Sequence, residues 1–326
     1  MERMSAAAMT TIREPLRVLV TDPLHRYGRD RLDRFTQLTV VERPTRSEFL
    51  ALVSNADVLI CRSSVVVDAE ALDCAPHLRA VIRAGNGLDN IDAAHAGLLG
   101  VTVSSIPSPG VNAVAEFVLA SLLTLSRRIV EADRQVREGI WAKSALCGTE
   151  LGGRTLGLVG CGRIGTRVAE LAQGFNMQVC ASVEHPSADR EVAMRAKGIG
   201  LLTLEELVEN SDAISIQVPG GPATHGLVDA QLLTHVKPGC LLIDVSRSGV
   251  VDHQAVLDGL RSGHIAGAAA DVHAQESGIP LLAQHPSGVV TPHIGGSTEE
   301  AQLRIAAEVV RRVQALDQTG RASHGV

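Results

Sequence analysis

The chain has 326 residues, more than one hydrophobic core usually supports, so two domains are expected. Apolar residues make up 45% and charged residues 20%, an ordinary globular balance, but aromatics reach only 2%, so the cores must be built from aliphatic side chains. The 30 basic and 36 acidic residues are interspersed and leave a net charge of -6, which excludes a continuous basic stripe matched to a nucleic-acid backbone.

No run approaches the ~20 apolar residues needed to span a bilayer. The stretch from Met1 to Glu14 lacks the apolar segment of a secretory signal and reads as a frayed tail. Six cysteines (Cys61, Cys74, Cys147, Cys161, Cys180 and Cys240) are scattered without a C-x-x-C pair, so neither a zinc site nor a disulfide framework is expected. Reduced thiols in a soluble, cytoplasmic protein, with no membrane or nucleic-acid partner, is the resulting expectation.

In chain order, Leu16 to Val20 is a short aliphatic run stopped by Thr21-Asp22-Pro23, and it predicts a buried strand. Ala56 to Cys61 and Leu78 to Ile82 repeat the pattern, separated by helix-like sequence, so residues from about 16 to 105 form one α/β unit. A single long helix is predicted over Asn112 to Val136. Strands follow at Thr155–Val159, Gln178–Ala181, Ala213–Ile216, Cys240–Ile243 and Ala268–Ala270, and this alternation predicts a doubly wound parallel sheet.

The strand ending at Val159 runs into Gly160-Cys161-Gly162-Arg163-Ile164-Gly165, and helical sequence follows. This is G-x-G-x-x-G in its required context, with glycines for a tight turn, for approach of a pyrophosphate, and for helix-on-strand packing. The same glycines in a turn used only for packing are the competing reading. An acidic residue about 20 positions on should take the ribose hydroxyls. That position falls on Val183, with Glu184 next, which reaches the ribose if the strand ends late. Glu184 would repel an extra phosphate and favours NAD over NADP, while Ser182, His185 and Arg190 remain candidates for a 2'-phosphate. Cys161 sits at a helix N-terminus, which predicts a reactive thiol whose modification blocks cofactor binding, or else a small residue chosen to fit the loop.

Several blocks together resemble the D-isomer-specific 2-hydroxyacid dehydrogenases, and within them the D-3-phosphoglycerate dehydrogenase branch, over nearly the whole chain. They are Arg83-Ala84-Gly85-Asn86-Gly87-Leu88-Asp89-Asn90-Ile91-Asp92, Asn112 to Glu116, Trp141 through Leu151, Val245 to Asp252, Asp271-Val272 with Glu276, and Thr291-Pro292-His293-Ile294-Gly295-Gly296-Ser297. The resemblance implies an α/β fold of two doubly wound parallel-sheet domains, a Rossmann cofactor domain (108–298) inserted in a flavodoxin-like substrate domain (1–107 plus 299–326). It also implies a nicotinamide-dependent oxidoreductase acting on C2 of a small 2-hydroxy or 2-keto acid.

Carried over residue by residue, the resemblance makes His293 the acid/base, Glu276 its partner, and Arg247 the carboxylate fork. Asn86, Gly87 and Arg62 join Arg247 and His293 as substrate-binding groups. Gly160, Gly162, Arg163, Ile164, Gly165, Glu184, Pro219, Ser246 and Asp271 bind the cofactor, and no metal is implied. Those residue types match the chemistry, since oxidation needs a base for the hydroxyl proton and a cation for the carboxylate. Taken singly, each of the three catalytic candidates also reads as an ordinary solvated loop or turn residue.

Departures from the pattern are Asp244 for Asn, Ser248 for Gly, His273-Ala274 and Glu276-Ser277 for an aromatic and Glu-Pro pattern, and Gln217 where a His is common. Val65-Val66 lack the extra Lys of phosphoglycerate enzymes, so hydroxypyruvate, glyoxylate or another 2-keto acid is the alternative substrate. With Val326 as the last residue, serine feedback through the C-terminal regulatory domain that some phosphoglycerate dehydrogenases carry is not expected. The resemblance further implies a homodimer, for which the aliphatic helix from Val111 to Ile129 offers an apolar face, and a cleft between domains that closes on ligand. A cofactor-sensing interaction protein, like co-repressors that resemble this family, is the alternative from another functional class.

Overall fold

Short aliphatic segments separated by helices of 4 to 16 residues cannot pair as hairpins, and the chain resolves this by parallel crossovers throughout. The computed structural model describes residues 14–106, 110–274 and 278–322. The chain divides into two compact units, residues 1–107 with 302–326, and residues 108–301.

In the first unit, β1 (Arg17–Val20), β2 (Gln37–Val40), β3 (Val58–Cys61), β4 (Ala80–Arg83) and β5 (Thr102–Ser105) form an all-parallel sheet of order β2-β1-β3-β4-β5. Strand β3 is buried along its whole length, because helices cover both faces. One face packs α1 (Arg26–Leu32) and α12 (Glu299–Ala322) through Leu32, Ile305, Val309 and Val313. The helices meet so closely that a Cβ on Gly28 would lie 3.0 Å from that of Ala306. The other face packs α2 (Arg46–Val53), α3 (Ala69–Asp73) and α4 (Ala93–Leu98) through Phe49, Val53, Leu72 and Ala96.

The second unit has seven parallel strands: β6 (Thr155–Val159), β7 (Gln178–Ser182), β8 (Ile199–Leu201), β9 (Ala213–Ile216), β10 (Cys240–Asp244), β11 (Ile265–Ala270) and β12 (Gly288–Val290). Their order is β12-β11-β10-β9-β6-β7-β8, so the winding reverses between β6 and β9. Both sheets are therefore doubly wound, as the alternation of strand and helix predicts. Helices α5 (Val111–Ser126) and α7 (Arg163–Gly174) cover one face through Leu119, Leu122, Val168 and Ala172. On the other face α9 (Leu204–Asn210), α10 (Ala230–Leu233) and α11 (His253–Ser262) bury Leu207, Leu232 and Leu257. The β7-to-β8 connection carries α8 (Ala188–Arg195).

Two expectations are corrected. The single helix over Asn112–Val136 is two helices, α5 and α6 (Ile129–Arg137), because Arg128 adopts a left-handed conformation (φ 52°) and ends the first. Helix α5 is also no free apolar face, since Ala113, Ala115, Val118, Leu122 and Leu125 are buried in its own unit. The exposed apolar side chains lie just beyond it, at Ile129, Val130, Val136, Ile140 and Trp141. Among the described residues no helix is long and apolar enough to cross a membrane.

Candidate active site

In open parallel sheets, ligands bind at the carboxyl edge, where the winding reverses. At that point of the second sheet β6 ends in the glycine loop. Gly160 has φ 89°, and a Cβ there would sit 2.7 Å from Val218 Cγ1. A Cβ on Gly165 would lie 2.5 Å from the Gly160 carbonyl oxygen, so both glycines are required by the turn. Gly162 differs, for among the described residues beyond its chain neighbours nothing lies within 4 Å of where its Cβ would be.

Helix α7 starts there with Gly162 as N-cap, with no side-chain cap and no acidic residue in its first turn. The first amides of a helix have no intrahelical partner, and here no side chain among the described residues caps them. That arrangement fits the diphosphate of a dinucleotide. Arg163 is exposed and Ile164 half-buried beside it.

Gln217, just past β9, secures the loop across the reversal point. Its Nε2 donates to the carbonyls of Gly160 (2.6 Å) and Val159 (3.2 Å), while its Oε1 accepts from the Ser215 hydroxyl (2.6 Å). Pro219, two residues on, is exposed, and its carbonyl accepts from the Thr224 hydroxyl. Strand β7 ends at Ser182, so it does not run late, and Val183 takes the first position past it. Glu184 is exposed and lies 3.8 Å from His185. Of the two readings of Cys161, burial favours the small residue that fits the loop: it is 2% exposed, and burial pushes its thiol above the usual range. The loop thiol is a packed core atom rather than a reactive one.

The ends of β10, β11 and β12 supply the remaining groups of this unit. Asp244 and Ser246 are both buried, and Asp244 Oδ1 accepts from the Ser246 amide (3.0 Å) and hydroxyl (2.5 Å). Ser246 thus turns its side chain inward. Arg247 follows it, half-buried, with Nη1 donating to the Ser246 carbonyl at 2.8 Å. Asp271, 3% exposed, accepts from the Thr291 hydroxyl (2.6 Å), the Ile294 amide (2.8 Å) and the Gly295 amide (2.7 Å). Its carboxylate therefore clamps the loop that presents His293. His293 is exposed with φ 56°, a left-handed conformation that a non-glycine residue adopts only when its surroundings impose it. Glu276 lies outside the described residues.

Arg62, Asn86 and Gly87 belong to the first unit. Arg62 follows β3, its guanidinium donating to Gln302 Oε1 at 3.1 Å, and burial lowers its pKa. The Arg83 guanidinium holds the carbonyls of Asn86 (2.8 Å) and Gly87 (2.9 Å), and Nε takes that of Arg62 (2.8 Å). Peptide units are planar and trans, so fixing those carbonyls turns the amides of Gly87 and Leu88 the opposite way. The nine predicted cofactor groups, Arg247 and His293 all belong to the second unit. Arg62, Asn86 and Gly87 share the other.

Sequence reasoning overlooked Arg83, Gln217 and the inward role of Asp244. Gln217 and Asp244 stand out in the sequence as departures from the family pattern at the ends of aliphatic strands, without an assigned role. Arg83 sits inside the substrate-loop motif without a role of its own.

Comparison with known proteins agrees with the topology. The NAD binding domain of D-isomer specific 2-hydroxyacid dehydrogenases matches residues 119–295. The D-3-phosphoglycerate dehydrogenase of Mycobacterium leprae is 40% identical over 299 residues, covering 91% of this chain and 56% of that protein. The chain spans about half the length of the curated relatives it matches. Among solved structures, the TT0316 protein of Thermus thermophilus superposes with a TM-score of 0.86 at 34% identity, covering 93% of this chain and 97% of that one. A D-lactate dehydrogenase of Aquifex aeolicus, complexed with NAD and lactic acid, gives 0.83 at 26% identity, covering 93% and 96%. Glycine loop, winding order and matched domain together establish that this chain belongs to the D-isomer specific 2-hydroxyacid dehydrogenase family.

Proposed function

We propose that the chain is an NAD-dependent oxidoreductase that transfers a hydride between nicotinamide and C2 of a small D-2-hydroxy or 2-keto acid, with 3-phosphoglycerate-type acids as the leading substrates. The observation that supports it most is the carboxyl edge of the seven-stranded sheet. There an uncapped helix N-terminus beside an open glycine shares one edge with the Arg247 and His293 loops. In this reading residues 108–298 bind the cofactor and residues 1–107 with 299–326 bind the acid.

When bound, the nicotinamide supplies or accepts the hydride. The chain's residues do the rest. His293 takes the C2 hydroxyl proton in oxidation and returns it in reduction, and Glu276 steadies the imidazolium. Arg247 forks the carboxylate and polarises the C2 oxygen. Asn86, Gly87 and Arg62 are the anion-binding groups of the other unit. Gly160, Gly162, Arg163, Ile164 and Gly165 hold the diphosphate, with Pro219 and Ser246 lining the cofactor and Glu184 disfavouring a 2'-phosphate. Asp271 acts by holding the His293 loop.

The test is NADH oxidation with 3-phosphohydroxypyruvate, hydroxypyruvate and glyoxylate. Replacing His293 with Asn should lower kcat by roughly 10²- to 10⁴-fold, the usual worth of a general acid/base. NADH binding without turnover of any of these acids would overturn the enzyme reading in favour of a cofactor sensor.

We also propose a homodimer in a reducing cytoplasm, which suits six free thiols. The surface in support is the set of exposed apolar side chains Ile129, Val130, Val136, Ile140 and Trp141, of which Trp141 is 83% exposed. Sedimentation should give twice the monomer mass and shift to monomer in a variant carrying Ile140→Ser and Trp141→Ser. A monomer at micromolar concentration of the unsubstituted chain would exclude it.

A further inference from the structure

Beneath the Arg247 and His293 loops runs a polar system to which the roles above give no task. Asp244 spends one carboxylate oxygen on Ser246 and the other on His253, whose Nε2–H donates to Oδ2 at 2.9 Å. Asp244 is 1% exposed and the His253 side chain 15%. A carboxylate this buried keeps its conformation only while its partners remain. The His253 ring stands edge-on to His273, with 6.3 Å between centroids and 60° between planes. His273 Nε2–H donates to the Thr291 carbonyl at 2.9 Å, and that carbonyl also accepts the backbone N–H of His293 at 3.0 Å. A carbonyl only accepts, which fixes the His273 proton on Nε2.

The run is therefore continuous: Arg247 follows Ser246, Ser246 is held by Asp244, Asp244 by His253, His253 abuts His273, and His273 shares an acceptor with His293. We propose that Asp244, His253 and His273 are positioning residues that hold the Arg247 and His293 loops in a fixed relation, so that carboxylate fork and proton carrier meet one substrate in one orientation. The inference rests on the roles proposed for Arg247 and His293. Loss of His253 strips one side of a buried carboxylate and loosens the turn before Arg247. Loss of His273 removes one of two donors from the carbonyl that pins His293 in its left-handed conformation.

The experiment uses the full chain with saturating NADH and varied concentrations of whichever of 3-phosphohydroxypyruvate, hydroxypyruvate and glyoxylate it turns over fastest, with thermal unfolding recorded for every variant. His253→Ala should raise KM by about tenfold with a smaller change in kcat, and His273→Ala should lower kcat by about tenfold or more, as small misplacements of reacting groups do. The double variant should lose less than the product of the two, since both act through one path. Gln at either position keeps a donor near the Nε2 place and should recover most of the loss. In the cofactor-free chain labelled with ¹⁵N-histidine, the His293 resonances should move on His273→Ala and on His253→Ala.

Folded Ala variants with kcat and KM within twofold of the unsubstituted chain, or unmoved His293 resonances, overturn the inference and reduce the cluster to a prop for α11. Arg247→Ala and His293→Asn serve as separate controls. If these two leave turnover intact, or the unsubstituted chain has none, the underlying assignment of the site fails and the inference falls with it.

Discussion

Both sheets reverse their winding at one point, and the two points are finished in opposite ways. In the five-stranded unit the reversal lies between β1 and β3, and the chain fills it with its own side chain. Asp22, 7% exposed, accepts from the Arg62 amide (2.7 Å), the Ser64 amide (3.2 Å), the Ser64 hydroxyl (2.7 Å) and the Thr21 hydroxyl (3.2 Å). In the seven-stranded unit the reversal lies between β6 and β9, and there the chain withdraws its side chains, leaving Gly162 facing open space and α7 uncapped. The same topology thus makes two anion-ready edges. One is satisfied internally by a carboxylate, and the other is left for a ligand's negative charge.

Exchange of a side chain at each point tests that contrast, and the internally closed edge should show the larger effect. Asp22→Ala leaves buried donors around Arg62 and Ser64 without an acceptor, which costs about 3 kcal/mol in unfolding free energy. Urea unfolding should show this loss, while NADH affinity measured by fluorescence stays within twofold. Asp22→Asn keeps one acceptor oxygen and should recover part of the loss. Equal stability of the Ala variant and the unsubstituted chain would mean that the Asp22 carboxylate is not what closes this edge.

How far the two edges were legible in the sequence differs for the same reason. The open edge announces itself, because a site built from glycines has few sequence solutions and G-x-G-x-x-G after an aliphatic strand is one of them. The closed edge looks like an ordinary Thr-Asp-Pro turn, since nothing local to Asp22 reveals that its partners lie 40 residues on at Arg62. Strands follow the same logic. The fully buried β3, β9 and β10 read plainly as aliphatic runs. Edge strands β2, with an exposed and half-buried alternation, and the three-residue β12 gave no such signal. The break between α5 and α6 was hidden because a left-handed arginine has no sequence mark, unlike a glycine or proline. Among site residues, types were readable but partners were not: Asp271 was visible, yet its hold on the 291–295 loop depends largely on backbone amides, which every residue but proline carries.

The smaller effect belongs to the open edge. Gly162→Ala adds a methyl group where, among the described residues beyond its chain neighbours, no atom lies within 4 Å, and Gly162 has a negative φ of -85°, so the folded chain accommodates it. Alanine is a poorer N-cap than glycine, which costs a few tenths of a kcal/mol, roughly. The methyl group does meet whatever approaches the first-turn amides. NADH binding should therefore weaken about tenfold, equal to about 1.4 kcal/mol, with urea unfolding nearly unchanged. The contrast with Asp22 lies in the pairing of readouts: stability without affinity at one reversal point, affinity without stability at the other. Unaltered NADH affinity in a folded Gly162→Ala chain would show that the diphosphate does not rest on this loop, and the comparison of a closed edge with an open one would lose its meaning.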